Sequence, residues 1–313
     1  MGLGFRRGVK PEVLFPGGRE HVPANTTHAP IEVRPTGSPN RFFGIKAASP
    51  GAIDQVRAYN GTSVATALAT HGAIRVFEAL KEMPSEAIHP RLDEEFAGVV
   101  LKTLLVHAAR WDEDATETIK SVVNADGAMY HLHERDEISR IFGYGKPDIG
   151  RVLECTEKRA TLVGWGTIQA GEASQFRVPL PPTLPVSVTI AWLTPINVNH
   201  RMYRMAKLEA SPGGDDKLSL NVKPGKQQPS HIAVARGTVF HRCWDGTKAA
   251  EFVDDGYLVL DITCKATAGE LDAEIPYGVA VTLEVGEGVA IPVYQEIQER
   301  LRSTIRTAVR ASV

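Results

Sequence analysis

Between residues 160 and 285 the chain is written in short alternating segments: "ATLVGWGTI", "SQFRVPL", "VSVTIAWL", "KLSLNV", "GYLVLDITC" and "YGVAVTLEV". A period of two sends successive side chains to opposite faces, so each segment predicts a strand with one face toward a core. The turn clusters "SPGGDD", "KPGKQQPS" and "WDGTK" punctuate them. Many short strands separated by turns predict an all-β sandwich or jelly-roll module.

Before residue 160 the texture differs. Residues 1–60 are rich in Gly, Pro, Asn and Ser and predict loops with short strands, such as Ile31–Arg34 and Phe42–Ala47. After Ser63, the residues Ala67, Ala69, Ala73, Ile74, Phe77 and Leu80 recur at helical spacing and predict a buried helix ended near Pro84. A second helix is expected from Asp93 to Ala109, with Phe96, Val99, Val100, Leu104 and Val106 inward. The acids of "RLDEE" stand at its start, where the helix dipole favours negative charge. "GYGKPDIGRVLECT" has glycines for a tight entry and places Pro147 at the first turn of another helix. "IPVYQEIQERLRSTIRTAVR" predicts a C-terminal amphipathic helix from near Pro292. The chain is therefore divided into an α-containing portion (1–156), a β-module (157–290) and a terminal helix (291–313).

Composition narrows the function classes. A net charge of −2 over 313 residues gives no electrostatic footprint for nucleic acid or an anionic membrane. No apolar run approaches the ~20 residues of a membrane span. The segment "MGLGFRRGVKPEVLFPGGRE" has no signal-peptide core, so a cytoplasmic location is expected. The cysteines Cys155, Cys243 and Cys264 have no metal or redox spacing, and their sparse, odd count fits a reducing compartment. A Cys243–Cys264 bridge stays open on sequence alone.

The stretch "YNGTSVATALATHGA" raises the question of chemistry. A serine hydroxyl is a poor nucleophile until a base takes its proton. A helix N-terminus assists, because its free N–H groups and dipole stabilise developing negative charge. Gly61 lets the backbone approach a substrate closely. A helix cap, however, accounts for Gly61-Thr62-Ser63 without any chemistry. The G-x-S-x-G nucleophile elbow is a near miss, since Ala65 stands where its second glycine belongs.

Four landmarks, in order, resemble the final third of the catalytic domain of subtilisin-like serine proteases. Lys10-Pro11-Glu12-Val13-Leu14-Phe15-Pro16-Gly17 is similar to that family's Lys-Pro-Asp-Val-x-x-Pro-Gly segment. Gly61-Thr62-Ser63-Val64-Ala65-Thr66-Ala67 is similar to its Gly-Thr-Ser-x-Ala-x-Pro motif. "LKTLLVHAARW" resembles the helix that follows, and "GYGKPDIGRVLE" the Tyr-Gly-x-Gly turn and closing helix. The resemblance covers about residues 8–155 and implies an α/β fold, an incomplete subtilisin-like catalytic domain with a parallel sheet and flanking helices. It implies Ser63 as nucleophile, with Gly61 and Thr62 beside it. The β-module resembles the C-terminal sandwich appended in several larger bacterial subtilases.

Three departures stand against the family pattern. Ala67 replaces a proline and Glu12 replaces an aspartate. More consequentially, the triad runs in the chain order Asp, His, Ser. The 62 residues before Ser63 hold His21 and His28, in "GREHVPANTTHAP", and no Asp-Thr-Gly, His-Gly-Thr or oxyanion asparagine segment. His71 follows Ser63 by eight residues, ~12 Å along one helix, and cannot be its base. The expectation is a C-terminal portion of a serine endopeptidase, inactive as this chain alone. An upstream segment or separate chain would supply the Asp and His, with a peptide or protein as substrate. The alternative is a non-catalytic remnant that binds or stabilises through its β-module.

Other candidates read as structural. In "MYHLHERDE", which holds His131, His133 and Glu134, the His131-x-His133 pair could ligate zinc from one strand face, but a solvated hairpin is expected. "SPGGDD" and "VDDGY" lack the spacing of a calcium loop. Trp165, Trp192 and Trp244 are expected in the core, and His107 as a satisfied core histidine. "VNHRMYRMAK" is too short for a nucleic-acid surface. No metal or cofactor is implied.

Overall fold

The structure is a computed structural model. It describes residues 4–18, 24–25, 32–33, 44–83, 92–124, 127–179, 186–212, 228–244, 257–285 and 292–299. It falls into two compact units, residues 14–75 and residues 1–13 together with 76–313.

In the unit of residues 14–75, β1 (Ala24–Asn25) pairs antiparallel with β2 (Glu32–Val33). The hairpin β3 (Ile45–Ser49) and β4 (Ala52–Tyr59) has a register shift at Ala48/Ser49. β2 and β3 lie near the two short strands expected there. The helix α1 (Thr62–Glu82) follows and runs on into the second unit. It is not buried along its length: Val76 and Leu80 are buried, whereas Ala67 and Ile74 are exposed. Alanine adds little area to an apolar stripe. The side chains of Thr66 and Thr70 on the same half-helix bond back to the carbonyls of Thr62 and Thr66 at 2.9 and 3.0 Å instead of packing into a core.

In the larger unit, α2 (Glu94–His107) starts where its acids and apolar stripe place it. Asp93 caps it, its carboxylate accepting from Phe96 N at 3.2 Å. Val99, Val100, Leu104 and Val106 are buried as expected. β5 (Ala109–Arg110) pairs with β6 (Lys146–Pro147), so Pro147 stands in a strand and not in a helix first turn. The helix α5 (Gly150–Leu153) begins three residues later. Two helices between them were not expected, α3 (Glu113–Val123) and α4 (His131–Phe142). The second replaces the expected hairpin around His131 and His133. Its apolar residues are few, so the periodicity is faint, yet Ile138 and Ser139 are fully buried.

The remaining strands are β7 (Arg159–Ile168), β8 (Ala173–Pro179), β9 (Val186–Trp192), β10 (Ala206–Pro212), β11 (Val239–Trp244), β12 (Tyr257–Ala266) and β13 (Ile275–Glu284). A single-turn α6 (His231–Val234) precedes β11. They form a four-stranded sheet ordered β11-β9-β13-β7 and a three-stranded sheet ordered β10-β12-β8. Every strand pair among the described residues is antiparallel, so the parallel sheet expected for the first portion is not among them. "KLSLNV" and "SPGGDD" from residue 213 onward, and "VDDGY" before Tyr257, lie outside the described residues. β10 and β11 escaped the sequence reading because charges interrupt their alternation.

One core cluster takes side chains from both sheets, including Val188 and Ile190 of β9, Leu260 and Ile262 of β12, and Val279 and Val281 of β13. Trp192 and Trp244 belong to it, as does the helical segment 293–299 through Val293 and Ile297. Of the longer C-terminal helix, residues 300–313 lie outside the described residues. The cysteines are free; Cys243 on β11 and Cys264 on β12 sit in different sheets, which removes the bridge between them.

The other face of the four-stranded sheet carries α2. Val99, Val100 and Leu104 cluster there with Ala280 and with Val76 and Leu80 of α1. This explains why β13 reads as an almost unbroken apolar run: Val279, Val281 and Leu283 face one core, and Gly278, Ala280 and Thr282 face α2. The helix-facing residues are small so that the helix can sit close. A Cβ at Gly278 would lie 2.6 Å from Thr103 Oγ1 and 3.3 Å from Val100 Cα. Gly278→Val is therefore expected to destabilise the protein by about 1–3 kcal/mol through overpacking. Urea denaturation followed by tryptophan fluorescence checks this; an unchanged midpoint would show that α2 can shift at no cost.

Candidate active site

The polypeptide around Ser63 is shaped by glycine. Gly61 has φ +118°, a conformation open to glycine and strained for other residues, and it turns the chain from β4 into α1. Its N–H donates to Gly17 O at 2.7 Å, and its carbonyl accepts from Ala65 N at 3.3 Å as the helix begins. A Cβ at Gly17 would lie 3.1 Å from Gly61 O. The Pro16-Gly17 and Asn60-Gly61 peptides, 44 residues apart, thus lie against each other, and two sequence landmarks become one turn.

Thr62 is the first helical residue and Ser63 the second, both exposed. Ser63 is consequently not a helix cap; the position before the helix belongs to Gly61. Among the described residues the Ser63 hydroxyl has no hydrogen-bond partner. It stands in the first turn, where unpaired backbone N–H groups and the helix dipole favour a developing negative charge. Gly61, Thr62 and Ser63 follow one another through the turn from β4 into α1. His71 is exposed two turns along the same helix. His21 and His28 lie outside the described residues.

The other landmarks meet within the larger unit. Tyr144 N donates to Glu12 O at 2.8 Å, and Trp111 Nε1 donates to Gly143 O at 2.9 Å. A Cβ at Gly143 would fall 2.0 Å from Pro11 O, and one at Gly145 would fall 2.0 Å from Arg110 O. The Gly-Tyr-Gly turn is therefore wedged between the Lys-Pro-Glu-Val segment and the end of "LKTLLVHAARW". Tyr144 is buried, and its hydroxyl donates to Val239 O at 3.1 Å. Burial, with Glu12 nearby, pushes that phenol far above its ordinary range.

Glu12, where the family pattern has aspartate, pairs with Lys10 at 2.9 Å and Lys102 at 3.4 Å. Lys102 Nζ also donates to Thr238 Oγ1 at 2.6 Å. Burial lowers the Lys102 ammonium below its usual range, and Glu12 opposes that shift. The longer carboxylate thus bridges an exposed lysine, Lys10, and a part-buried one, Lys102.

His131 and His133 sit two residues apart on α4, about 200° around the helix axis, and so do not share a face. Glu134 Oε2 accepts from Asn124 Nδ2 at 2.6 Å. Among the described residues no group of three His, Cys, Asp or Glu could hold a metal ion.

Comparison with known proteins agrees with these landmarks. Residues 2–145 match the family model of the subtilase family, the peptidase S8 group. The match supports a subtilisin-like protease domain of the serine hydrolase class over that part of the chain. No curated protein matches. Among solved structures, a chain of the cyanophage Pam1 capsid asymmetric unit is similar over 41% of this chain and 83% of that one, at 17% identity and a TM-score of 0.23. A likeness that weak carries no argument about fold or function.

Gly143→Ala is expected to cost about 1–3 kcal/mol, because φ is +60° there and the added methyl meets Pro11 O. Thermal unfolding measures the loss; a Tm within error of the parent would mean that the wedge yields freely.

Proposed function

We propose that this chain is the C-terminal portion of a subtilisin-like serine endopeptidase and that Ser63 is its nucleophile. The observation that carries the reading is an exposed serine in the first turn of α1, behind a glycine of positive φ, inside the segment that matches the subtilase family. In this reading a histidine base, supplied with its aspartate from an upstream segment or a separate chain, takes the Ser63 proton. The oxygen attacks the substrate carbonyl and forms an acyl-enzyme. The histidine returns the proton to the leaving amine, and water then releases the acid. First-turn N–H groups of α1 stabilise the oxyanion. Residues 1–156 form the catalytic portion, and 157–290 an appended β-sandwich that takes no part in bond cleavage.

A second reading, a non-catalytic remnant, is favoured by one observation: α2 packs on β13 and β9, so residues 94–107 serve as a covering layer for the β-region.

The isolated chain is expected to show no useful turnover of a peptide substrate. Adding a polypeptide that carries the Asp and His segments should restore turnover and labelling by a fluorophosphonate. Ser63→Ala should then remove about 10⁶-fold in kcat, as loss of the serine does in subtilisin. Turnover that survives Ser63→Ala would overturn the assignment. Failure of every complementing segment to confer labelling would leave the remnant reading standing.

A further inference from the structure

A continuous chain of hydrogen-bonded side chains runs through the contact between α2 and the four-stranded sheet, and the proposed reaction does not use it. Arg110 Nη2 donates to Ser187 Oγ at 3.0 Å, and Ser187 Oγ donates to Cys243 Sγ at 3.3 Å. Cys243 Sγ lies 3.3 Å from His241 Nε2. Thr189 Oγ1 bridges two imidazoles, 2.7 Å from His241 Nδ1 and 2.7 Å from His107 Nδ1. His107 Nε2 lies 2.6 Å from Thr282 Oγ1, which lies 2.7 Å from Thr161 Oγ1. Both histidines, Thr189 and Thr282 are buried. His107 belongs to α2; the others belong to β5, β7, β9, β11 and β13.

One direction of donation, starting from the arginine, uses every proton in the chain. A guanidinium donates and cannot accept, and each hydroxyl has a single proton to give. Ser187 receives from Arg110 and gives to Cys243. The thiol gives to His241 Nε2, which leaves the His241 proton on Nδ1. That proton goes to Thr189, whose own proton goes to His107 Nδ1. His107 therefore carries its proton on Nε2 and gives it to Thr282, which gives to Thr161. Because Thr189 has one proton to share between two Nδ1 atoms, the neutral histidines take opposite tautomers, and in this direction the arginine stands at the donor end.

The surroundings reject an extra charge. Arg110 faces His107 from β5 and Arg151 faces it from α5; Arg110 and Arg242 of β11 face His241. Tyr144 packs edge-on against His241, its ring centroid 5.7 Å away, and His107 is 6.4 Å from His241. Glu284 is paired with Arg151 and Arg159. Burial first, then the arginines, hold both imidazoles well below the ordinary histidine range.

We infer that the Arg110–Ser187–Cys243–His241–Thr189–His107–Thr282 chain is a proton-sensitive latch that holds α2 on the sheet at neutral pH and releases it on acidification. A proton added to His107 Nδ1 turns an acceptor into a donor. Thr189 then faces two N–H groups, its own proton has no acceptor, and an unpaired cation lies among arginines. The sign follows. The released state takes up protons near the ordinary histidine value of about 6.5, and the latched state only well below it. The latch is at full strength above that value and weakens as pH falls through it. The release equilibrium shifts up to about tenfold per pH unit for one histidine and about a hundredfold for two.

The full chain is tested by nitrogen-15 NMR of the histidine rings at neutral pH, with hydrogen–deuterium exchange as pH falls. Opposite neutral tautomers at His107 and His241 are expected, followed on acidification by loss of protection in residues 94–107 while the β7–β13 ladder stays protected. Arg110→Met should mix the tautomers. Identical tautomers in the parent protein would overturn the inference. So would retained α2 protection after both rings have taken up protons, or simultaneous loss of α2 and the ladder. Opposite tautomers kept in Arg110→Met would overturn the role of Arg110. Should that variant not fold, the parent spectra and exchange profile decide alone.

Discussion

The close approach of α2 to β13 is the contact on which the larger unit is organised. It is possible because β13 presents Gly278, Ala280 and Thr282 on one face and Val279, Val281 and Leu283 on the other. Small residues let the helix settle onto the strand, and the branched ones fill the core shared with the three-stranded sheet. Val99, Val100 and Leu104 are almost wholly removed from water there, each worth roughly 1.5–3 kcal/mol relative to exposure. A helix from the protease-like portion thereby becomes the outer layer of the β-region. Contacts do not part where the periodicity changes.

The polar side chains at that contact follow from the same closeness. A helix ending at His107 over a sheet face containing Thr189 and Thr282 must bury an imidazole, and a buried polar ring is costly unless both nitrogens are paired. Both are. Burial and the neighbouring arginines keep that paired ring neutral, so one contact both packs the helix and ties its packing to protonation.

The same economy of space runs through the protease-like landmarks. Gly143 and Gly145 stand where carbonyls of Pro11 and Arg110 leave no room for a Cβ, and Gly17 lies against Gly61. These glycines give the family motifs their spacing: they mark places where distant backbones touch. The candidate nucleophile is exposed and placed at a helix start by that packing, so its position depends on Gly61 more than on its own side chain.

Much of this was legible in the chain. The alternation from residue 160 located five of the strands, the acids and apolar stripe placed α2, and the motif order located Ser63 at the head of α1. What failed did so for physical reasons. The alanine stripe of α1 read as buried, but alanine gives too little area to decide that by itself. "MYHLHERDE" read as a hairpin because its few apolar residues hid a helical period. Pro147 suits a helix start or a strand edge equally well, and pairing with Ala109 chose the strand. By itself the sequence determined the local periods and the motif around Ser63, because both depend on near neighbours. The tertiary structure decided the second face of β13, the pairing of His107 with residues 82 and 175 positions away, and the contacts that fix each glycine. Those depend on which surfaces meet, and no spacing along one strand or helix records that.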